Sequence, residues 1–433
     1  MKQINLRNKI EPGAESLTGP ALVDYVNKKQ NLWKAEVSSL SLENMKKRVM
    51  DLKYSVLPSD EDRAQYPAPE MPPIDEATIP EKFDAREHWP HCHSMKYIRD
   101  QSHCGSCWAF GAAEAMSDRA CIHSNGAINV ELSANEILSC CGSACGGCQG
   151  GYALDAWKFW VTQGVVTGGN HGDTGTCQPY VFGACGSCSG PEYSTPACKK
   201  ECHSGYSKSW TADKHYGKSA YVVANRIATI QQEIMTNGPV EARMNVYMDF
   251  NHYKSGVYVH TSGELAGGHF IKLIGWGMSG STPYWLAANS WGTGWGESGY
   301  FLIRRGIDEC GIESFIVAAY QPHSCFLPPQ RTAMPDWVDR CMMCTFVYVY
   351  ESARWVGQYV RRAAQNLMNR YAENRRRRRQ QQQQQHVPPD LLPLPVGPAN
   401  TPLIEQPIIE KKADISNSPV LAPRGSPPSF LFN

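Results

Sequence analysis

The sequence lacks any long apolar run, and its charges nearly cancel. None of its hydrophobic stretches approaches the ~18 consecutive apolar residues that a membrane helix needs, so the sequence predicts no membrane-spanning segment. Lys and Arg number 42 against 41 Asp and Glu, a net charge of +1, which does not favour a nucleic-acid-binding protein. Hydrophobic residues make up 42% of the 433 residues, which excludes a chain that is disordered throughout.

The start of the chain also lacks the apolar h-region of a signal peptide. The sequence nevertheless contains 17 cysteines, 14 of them between Cys92 and Cys310. Such a density indicates either disulfides formed in an oxidising compartment or metal sites. No His follows the cysteine cluster at finger-like spacing, so we favour disulfides and expect neither a metal nor another cofactor. To reconcile the two observations we expect that an initial exon is missing from this sequence.

Composition predicts two parts in the first three quarters of the chain. Residues 1–78 contain no cysteine and have apolar residues at helical spacing in Leu22–Val26 and Leu32–Trp33, followed by a Pro-rich linker. Residues 79–321 are rich in Gly, Cys and aromatic residues. They are predicted to be helical at first (about 79–200, with helices at Cys107–Cys121 and Leu132–Leu138) and strand-rich later (about 201–321, with strands at Phe270–Ile274, Tyr284–Ala288, Tyr300–Ile303 and Phe315–Val317).

Residues 322–433 form a third part with a different charge balance. They hold 14 Lys/Arg against 8 Asp/Glu, a net of +6, whereas the rest of the chain has a net charge of −5. We predict one amphipathic helix around Trp355–Tyr371 and then a disordered tail rich in Arg, Gln and Pro. The run Arg375–Arg379 could bind nucleic acid or another polyanion, but a solvated appendage is favoured. Cys341 and Cys344 are weak evidence for zinc, which requires four ligands.

One cysteine occurs in a setting that favours reactivity. Cys107 is followed by WAFGAAEAMSDRA, a strong helix former, so its thiol is predicted to lie at a helix N-terminus. There the helix dipole and the unpaired N–H groups favour the thiolate, which is the nucleophilic form of the side chain.

Three further residues supply what a nucleophilic thiolate needs. His269, at the start of an apolar strand, can exchange a proton with the thiol. Asn289 can accept a hydrogen bond from the imidazole and fix its tautomer, and Trp291 can shield that bond from water. Gln101, six residues before Cys107, and the Cys107 backbone N–H can donate to the oxygen of a tetrahedral intermediate. Taken singly, Cys107 would be interpreted as half of a disulfide, His269 as a structural residue and Asn289 as a turn residue. The longer sequence motifs around them are what favour a catalytic role.

The strings CGSCWAF, GGHFIKLIGWG and ANSWGTGWGESGYF, in this order, resemble the three signatures of papain-like cysteine proteases. More narrowly, KFDAREHWPHC, CCGSACGGCQGGY, DKHYG, NGPVEA and YKSGVY are similar to the cathepsin B branch. The resemblance covers about Ile79–Tyr320 strongly and Leu17–Val49 more loosely, as a propeptide. It implies an α+β fold with a helical domain, a β-barrel-like domain and a peptide-binding cleft between them.

The resemblance also implies roles for individual residues. Cys107 would be the nucleophile, His269 the acid and base, Asn289 its orienter and Gln101 an oxyanion donor. Substrate would be bound by the residues Gly150, Gly151, Gly268, Trp291 and Phe315. Without the resemblance, the glycine pair would read as a plain turn.

Six disulfides are implied by the same resemblance, and the sequence alone could not choose their pairing. They are Cys92–Cys121, Cys104–Cys148, Cys140–Cys198, Cys141–Cys145, Cys177–Cys202 and Cys185–Cys188.

Two departures from the cathepsin B pattern bear on specificity. The occluding loop with its His pair, which binds a substrate's C-terminal carboxylate, is reduced here to Cys185-Gly-Ser-Cys188. We therefore expect an endopeptidase with weak or absent carboxydipeptidase activity. The acidic residue at the base of the P2 pocket is replaced by Phe315, so hydrophobic P2 residues are expected to be preferred over Arg. Alternatively, Phe315 only packs in the core beside Ile312 and Ile316.

The resemblance thus predicts a lysosomal or secreted zymogen that acts on proteins and peptides. Residues 1–78 would be its own inhibitor, cleaved near Pro80 after acidification. A different class of function is a catalytically silent cathepsin B homologue that acts as a binding protein. It is disfavoured because all four catalytic positions are present.

Overall fold

The computed structural model describes residues 11, 13–69, 71, 73–185 and 190–320. These residues contain both helices and a mixed sheet, which confirms the expected α+β class. The helices are α1 Gly19–Lys29, α2 Leu42–Lys46, α3 Asp60–Gln65, α4 Ala85–His88, α5 Cys107–His123, α6 Ala134–Cys140, α7 Ala153–Gln163 and α8 Ile227–Asn237. The strands are β1 Trp33–Ala35, β2 Phe83–Asp84, β3 Gly146–Gly147, β4 Gly150–Gly151, β5 Ser219–Val223, β6 Val240–Tyr247, β7 Tyr253–Tyr258, β8 Leu265–Ser279, β9 Thr282–Ala288, β10 Tyr300–Arg304 and β11 Ile316–Tyr320.

Nine of the strands form one sheet, in the order β1-β7-β10-β9-β8-β6-β11-β5, with β2 paired to β8. Strands β7 and β10 run parallel, and the other pairs are antiparallel. The 15-residue β8 pairs with β6 on one side and β9 on the other. It therefore holds its side chains rigidly, which makes it suited to carry part of a site.

Helix α5 packs against β8 and is buried over almost its whole length. A helix that is buried on every face lies inside a domain rather than on its surface. Its first residue, Cys107, is consequently held between the helical part of the chain and the sheet.

Local capping explains one wrong boundary. Helix α6 begins at Ala134 rather than at the predicted Leu132, because the Ser133 hydroxyl accepts a hydrogen bond from the Glu136 N–H and so caps the helix there. At the end of the sheet, Phe315 precedes β11 instead of belonging to it.

The N-terminal segment, residues 11–78, begins with α1, whose buried residues Leu22, Val23 and Val26 agree with the predicted helical spacing. The prediction that Leu32–Trp33 is also helical is wrong. Trp33 begins strand β1, which pairs with the edge strand β7. Its indole N–H donates to the Val259 carbonyl at 2.9 Å, so a tertiary contact outweighs the local pattern.

Several predictions fall on residues outside those that the structure describes. They are the helix around Trp355–Tyr371, the Cys341/Cys344 pair, the Arg375–Arg379 run and the remainder of 322–433. Among the described residues, no helix is both long enough and apolar enough to cross a membrane.

Candidate active site

Cys107 lies at the N-terminus of α5, as predicted, and is fully buried. It is one of two cysteines with a free thiol in the described part of the chain; the other is Cys310. The preceding residue, Ser106, makes no side-chain cap for the helix. Backbone N–H groups of the first helical turn are therefore available to the Cys107 side chain.

His269 and Asn289 meet across neighbouring strands. Nε2 of His269, on β8, lies 2.8 Å from Oδ1 of Asn289, which follows β9. The same Asn289 oxygen accepts the backbone N–H of Ser290 at 2.8 Å, which fixes its orientation. The ring of Trp291 lies over the imidazole, with 5.1 Å between the two ring centres. The pair is thus dry and geometrically fixed, as a proton-transfer group requires.

The other imidazole nitrogen, Nδ1 of His269, is buried and has no hydrogen-bond partner among the described residues. The next residue of β8, Phe270, donates its backbone N–H to the sulfur of Cys107. The strand therefore brings His269 to the start of α5, with one ring nitrogen bound by Asn289 and the other unused. This is the arrangement needed for an imidazole that serves a thiol.

Burial keeps the thiol and the imidazole uncharged in this structure. It raises the pKa of Cys107 to about 12, with a further increase from the carboxylate of Glu241 and a decrease from the Phe270 and Trp108 N–H groups. It lowers the pKa of His269 to about 4, against the hydrogen bond to Asn289. Desolvation disfavours any charged form, and here it outweighs the predicted effect of the helix N-terminus.

Gln101, which precedes Cys107 by six residues, is also fully buried. Its side-chain amide donates to the carbonyls of Arg48 and Cys104, both at 2.8 Å. Its side-chain oxygen accepts the hydroxyl of Ser290 at 2.7 Å. The hydrogen bond from Ser290 fixes the orientation of the Gln101 side-chain amide. Its NH₂ group is therefore directed at whichever carbonyl oxygen occupies the site.

The comparisons with known proteins identify the family. The profile of the papain family cysteine proteases matches residues 79–320. The chain belongs to the papain family.

Relatives place it more narrowly. A gut-specific cysteine proteinase of Caenorhabditis elegans is 53% identical over 309 residues, covering 71% of this chain and 92% of the relative. Cathepsin B-like cysteine proteinase 4 of the same organism is 49% identical, covering 69% and 91%. Procathepsin B S9 from Trypanosoma congolense is similar in structure, with a TM-score of 0.58, 33% identity and coverage of 71% of this chain and 99% of that one. The chain is therefore a cathepsin B-like cysteine protease of the papain family, and the expected papain-like fold is confirmed.

As in a papain-family zymogen, the N-terminal segment, hereafter the prosegment, occupies the cleft. Met50 forms two backbone hydrogen bonds with Gly268, at 2.8 and 3.0 Å. The N–H of Asp51 donates to the Gln149 carbonyl on the opposite wall at 3.0 Å. The prosegment thereby bridges both walls over Cys107 and blocks the access of any other peptide.

Two glycines permit this close approach. A Cβ at Gly150 would lie 2.6 Å from the ring of Tyr54 and 2.9 Å from Cβ of Met50. A Cβ at Gly268 would lie 2.4 Å from the hydroxyl of Ser55. Because a Cβ at either position would collide with side chains of the bound prosegment, glycine at both walls of the cleft permits this packing. Gly151 lies on the same strand, β4, against the ring of Trp108.

Phe315 is buried and packs edge-to-face with Phe270, with 5.8 Å between ring centres. It belongs to the apolar cluster that contains Met50 of the prosegment. Ile312 and Ile316, beside which it was alternatively expected to pack, belong to the neighbouring cluster.

Sequence reasoning missed Arg48, a buried prosegment residue that contacts the cleft. Its guanidinium lies 3.2 Å from the carboxylate of Asp100 and donates to the Cys185 carbonyl. Arg48 follows Lys46 and Lys47, and three basic residues in a row normally indicate a solvated surface. Nothing in the local pattern distinguishes the one that is buried.

Five disulfides join the described cysteines: Cys92–Cys121, Cys104–Cys148, Cys140–Cys198, Cys141–Cys145 and Cys177–Cys202. The sixth implied pair, Cys185–Cys188, includes a residue outside the described ones. His91 lies beside the Cys92–Cys121 pair in an arrangement of potential metal ligands. Since both sulfurs are bonded to each other, only His91 remains able to bind a metal.

Proposed function

We propose that the protein is the zymogen of a cysteine endopeptidase in which Cys107 is the nucleophile. The sulfur of Cys107 attacks the carbonyl carbon of a peptide bond while its proton passes to Nδ1 of His269. The imidazolium then gives that proton to the leaving amine, and a thioester forms. Water, deprotonated by the same imidazole, hydrolyses the thioester and regenerates the thiol.

Asn289 and Gln101 have supporting roles in this scheme. Asn289 accepts the Nε2–H of His269 and holds the ring toward the sulfur. Gln101 donates to the oxyanion of each tetrahedral intermediate, together with the Cys107 N–H. The observation that carries the proposal is the His269–Asn289 bond of 2.8 Å with Nδ1 left unpartnered, on the residue next to Phe270, whose N–H donates to the free, buried thiol of Cys107.

An open primed side supports endopeptidase activity. A cavity of about 610 Å³ lies between the prosegment and the peptidase domain, lined by Arg48, Asp100, Cys185, Trp291 and Gly292 among others. In the sequence only two residues separate Cys185 from Cys188, too few for an occluding loop. A peptide can therefore continue past the scissile bond, and we infer weak or absent release of C-terminal dipeptides.

The prosegment suggests the preference for P2, the second residue before the scissile bond. Met50 is buried between Gly150 and Gly268, in the same apolar cluster as Phe315. We infer that a hydrophobic P2 side chain takes the place of Met50 in the active enzyme. An Arg side chain at P2 would lie in the same cluster as Phe315, which carries no charge to pair with it.

Activation at acid pH is supported by ion pairs between the prosegment and the peptidase domain. They are Arg48–Asp100, Glu36–Lys254 and Glu76–Arg226. We infer that acid weakens this charge-paired attachment and so promotes release of the prosegment. The five disulfides support a lysosomal or secreted location.

The experiment compares peptides of one sequence with free and amidated C-termini, digested by the processed enzyme. We expect cleavage at interior bonds of both, and efficient dipeptide release from the free form would contradict the proposal. Cys107→Ser should abolish cleavage, whereas Cys310→Ala, at the other free thiol, should retain it.

Self-processing is tested with the full-length Cys107→Ala variant. Trimming of this variant near Pro80 at acid pH without added protease would exclude self-processing.

A further inference from the structure

The Asp100 carboxylate is engaged by a side chain that leaves when the zymogen is processed. One of its oxygens lies 3.2 Å from the Arg48 guanidinium. The same oxygen accepts the Ser102 N–H at 2.8 Å, and the other accepts the Cys185 N–H at 3.4 Å. Arg48 is the only one of these partners that belongs to the prosegment. Its removal leaves the carboxylate bound by two backbone N–H groups.

Asp100 lies on one defined side of the reactive centre. It directly precedes Gln101, and it lines the cavity together with Trp291 and Gly292. The prosegment passes Gly150 and Gly268 with residues 50–55 and reaches Asp100 only with Arg48. The Arg48 carbonyl lies at the Gln101 amide, the donor that we assign to the oxyanion, whereas Met50 lies at Gly150 and Gly268, where we place the residues before the scissile bond. We infer that Asp100 faces the residues after the scissile bond, and hence that the prosegment crosses the cleft in the direction opposite to a substrate.

The other positive groups at this cavity are not placed to neutralise Asp100. The Arg99 guanidinium is bound to the Glu131 carboxylate at 2.6 Å and to the Leu132 carbonyl at 2.8 Å. Lys254 is paired with Glu36 of the prosegment, with 3.6 Å between the charged atoms; it loses that partner on processing and forms no ion pair with Asp100 in this structure. Burial lowers the pKa of His103, which lies nearby, as do the charges of Arg48 and Lys47, whereas Asp100 raises it. Once Arg48 has gone, no Lys or Arg of the described residues forms an ion pair with Asp100.

A half-buried carboxylate that faces a cavity and lacks a countercharge binds a cation that the ligand supplies. In the zymogen, the Arg48 guanidinium lies between the Asp100 carboxylate and the Cys185 carbonyl. The recess therefore has room for such a cation. The carbonyl accepts a second N–H of the guanidinium, so the recess matches a group with several donors.

We propose that Asp100 forms an acidic subsite that selects substrates with Arg or Lys at the first or second position after the scissile bond. Arg48 is the occupant of this subsite in the zymogen. The proposal rests on the proposed peptidase function and adds to it a preference on the primed side.

The test uses the processed full-length enzyme and internally quenched peptides that share Leu at P2 and differ only after the scissile bond. One set carries Arg at the first or second primed position, and the matched set carries citrulline, which has the same shape but no charge. All have amidated C-termini, so that Lys254 meets no carboxylate. We expect kcat/KM to be on the order of fivefold higher for Arg at one of the two positions, the range of a partly exposed ion pair.

Asp100→Asn keeps an acceptor for the Ser102 N–H and removes the charge. In this variant we expect the ratio between Arg and citrulline to fall to about one. Glu264→Gln, which removes an exposed acidic charge of the peptidase domain elsewhere, should leave the ratio unchanged. Equal rates for Arg and citrulline in the unmodified enzyme, or an unchanged ratio in Asp100→Asn, would overturn the subsite while leaving the peptidase function intact. Failure to cleave any peptide would overturn both.

Discussion

The side-chain amide of Gln101 donates a hydrogen bond to the backbone carbonyl of Arg48 at 2.8 Å. A carbonyl of the prosegment thus occupies the donor that we assign to the oxyanion of the substrate. The prosegment therefore engages the same group that we assign to catalysis, and on this assignment the zymogen needs no distortion of the site to remain inactive.

We expect Gln101→Glu to lower kcat by about 10²-fold with little change in KM. The isosteric carboxylate keeps the packing but accepts hydrogen bonds where the amide donates them. The measurement is steady-state hydrolysis of a peptide amide by the processed enzyme. Gln163→Ala, at an exposed position at the end of α7, serves as the control. A Gln101→Glu enzyme with normal kcat would exclude the oxyanion role.

The thiol of the zymogen should react slowly with iodoacetamide between about pH 6 and 8. Burial raises the pKa of Cys107 to about 12 and lowers the pKa of His269 to about 4, so neither group carries its charge in this range, and the reagent requires thiolate. Removing the prosegment admits water and favours the thiolate–imidazolium pair, and alkylation should accelerate. Peptide mapping by mass spectrometry measures modification of Cys107 alone. Equal rates before and after processing would show that the prosegment does not control the ionisation.

How far the site could be predicted depends on where the information lies. Cys107, His269 and Asn289 belong to long strings of specific sequence, and the structure brings His269 and Asn289 together across two strands. Arg48 carried no such signal, because its burial depends on Asp100, more than fifty positions away in the chain. Trp33 was assigned to the wrong element for the same reason, since pairing with an edge strand outweighed its helical spacing.

Replacing Arg48 with Met should weaken the prosegment as an inhibitor by at least about tenfold. Met retains much of the apolar stem but removes a buried guanidinium that is paired with Asp100, and loss of one partner leaves the other charge uncompensated. The measurement is inhibition of the processed enzyme by added prosegment of each sequence. Lys34→Met, at an exposed position of β1, removes a charge of the same sign and should change inhibition little. If both variants inhibit as well as the unmodified prosegment, Arg48 contributes no net binding.

Phe315→Glu should shift the P2 preference toward Arg. A carboxylate introduced in the cluster beside Phe270 would supply the countercharge that an Arg at P2 lacks, so the ratio of kcat/KM for Arg to that for Leu should rise by about tenfold or more. Phe315→Gln is the matched control, because it has nearly the same shape as Glu without the charge. If Gln raises the ratio as much as Glu does, polarity or volume determines the preference, and the electrostatic argument fails.

The buried Glu114 should make the protein less stable as the pH rises toward neutrality. Burial raises its pKa to about 7, against the opposing effect of Lys272 and Arg99, and one of its oxygens has no hydrogen-bond partner among the described residues. Free glutamate titrates near 4.3, so between about pH 4.3 and 7 the folded protein keeps a proton that the unfolded chain has lost. The contribution of Glu114 to stability is therefore fully present below about pH 4.3 and is lost as the pH rises through 7.

Glu114→Gln removes this titration while preserving shape, so its stability should fall less between about pH 5 and 8 than that of the unmodified chain. The difference should reach about 3 kcal/mol at most. Denaturant unfolding is compared in a Cys107→Ser background, which prevents autolysis, with the exposed Glu264→Gln as control. Both Glu264→Gln and the parent should show the full decline with pH, because both retain the buried Glu114. Parallel pH curves for Glu114→Gln and the parent would mean that Glu114 is ionised in the folded protein at pH values where burial is expected to keep it neutral.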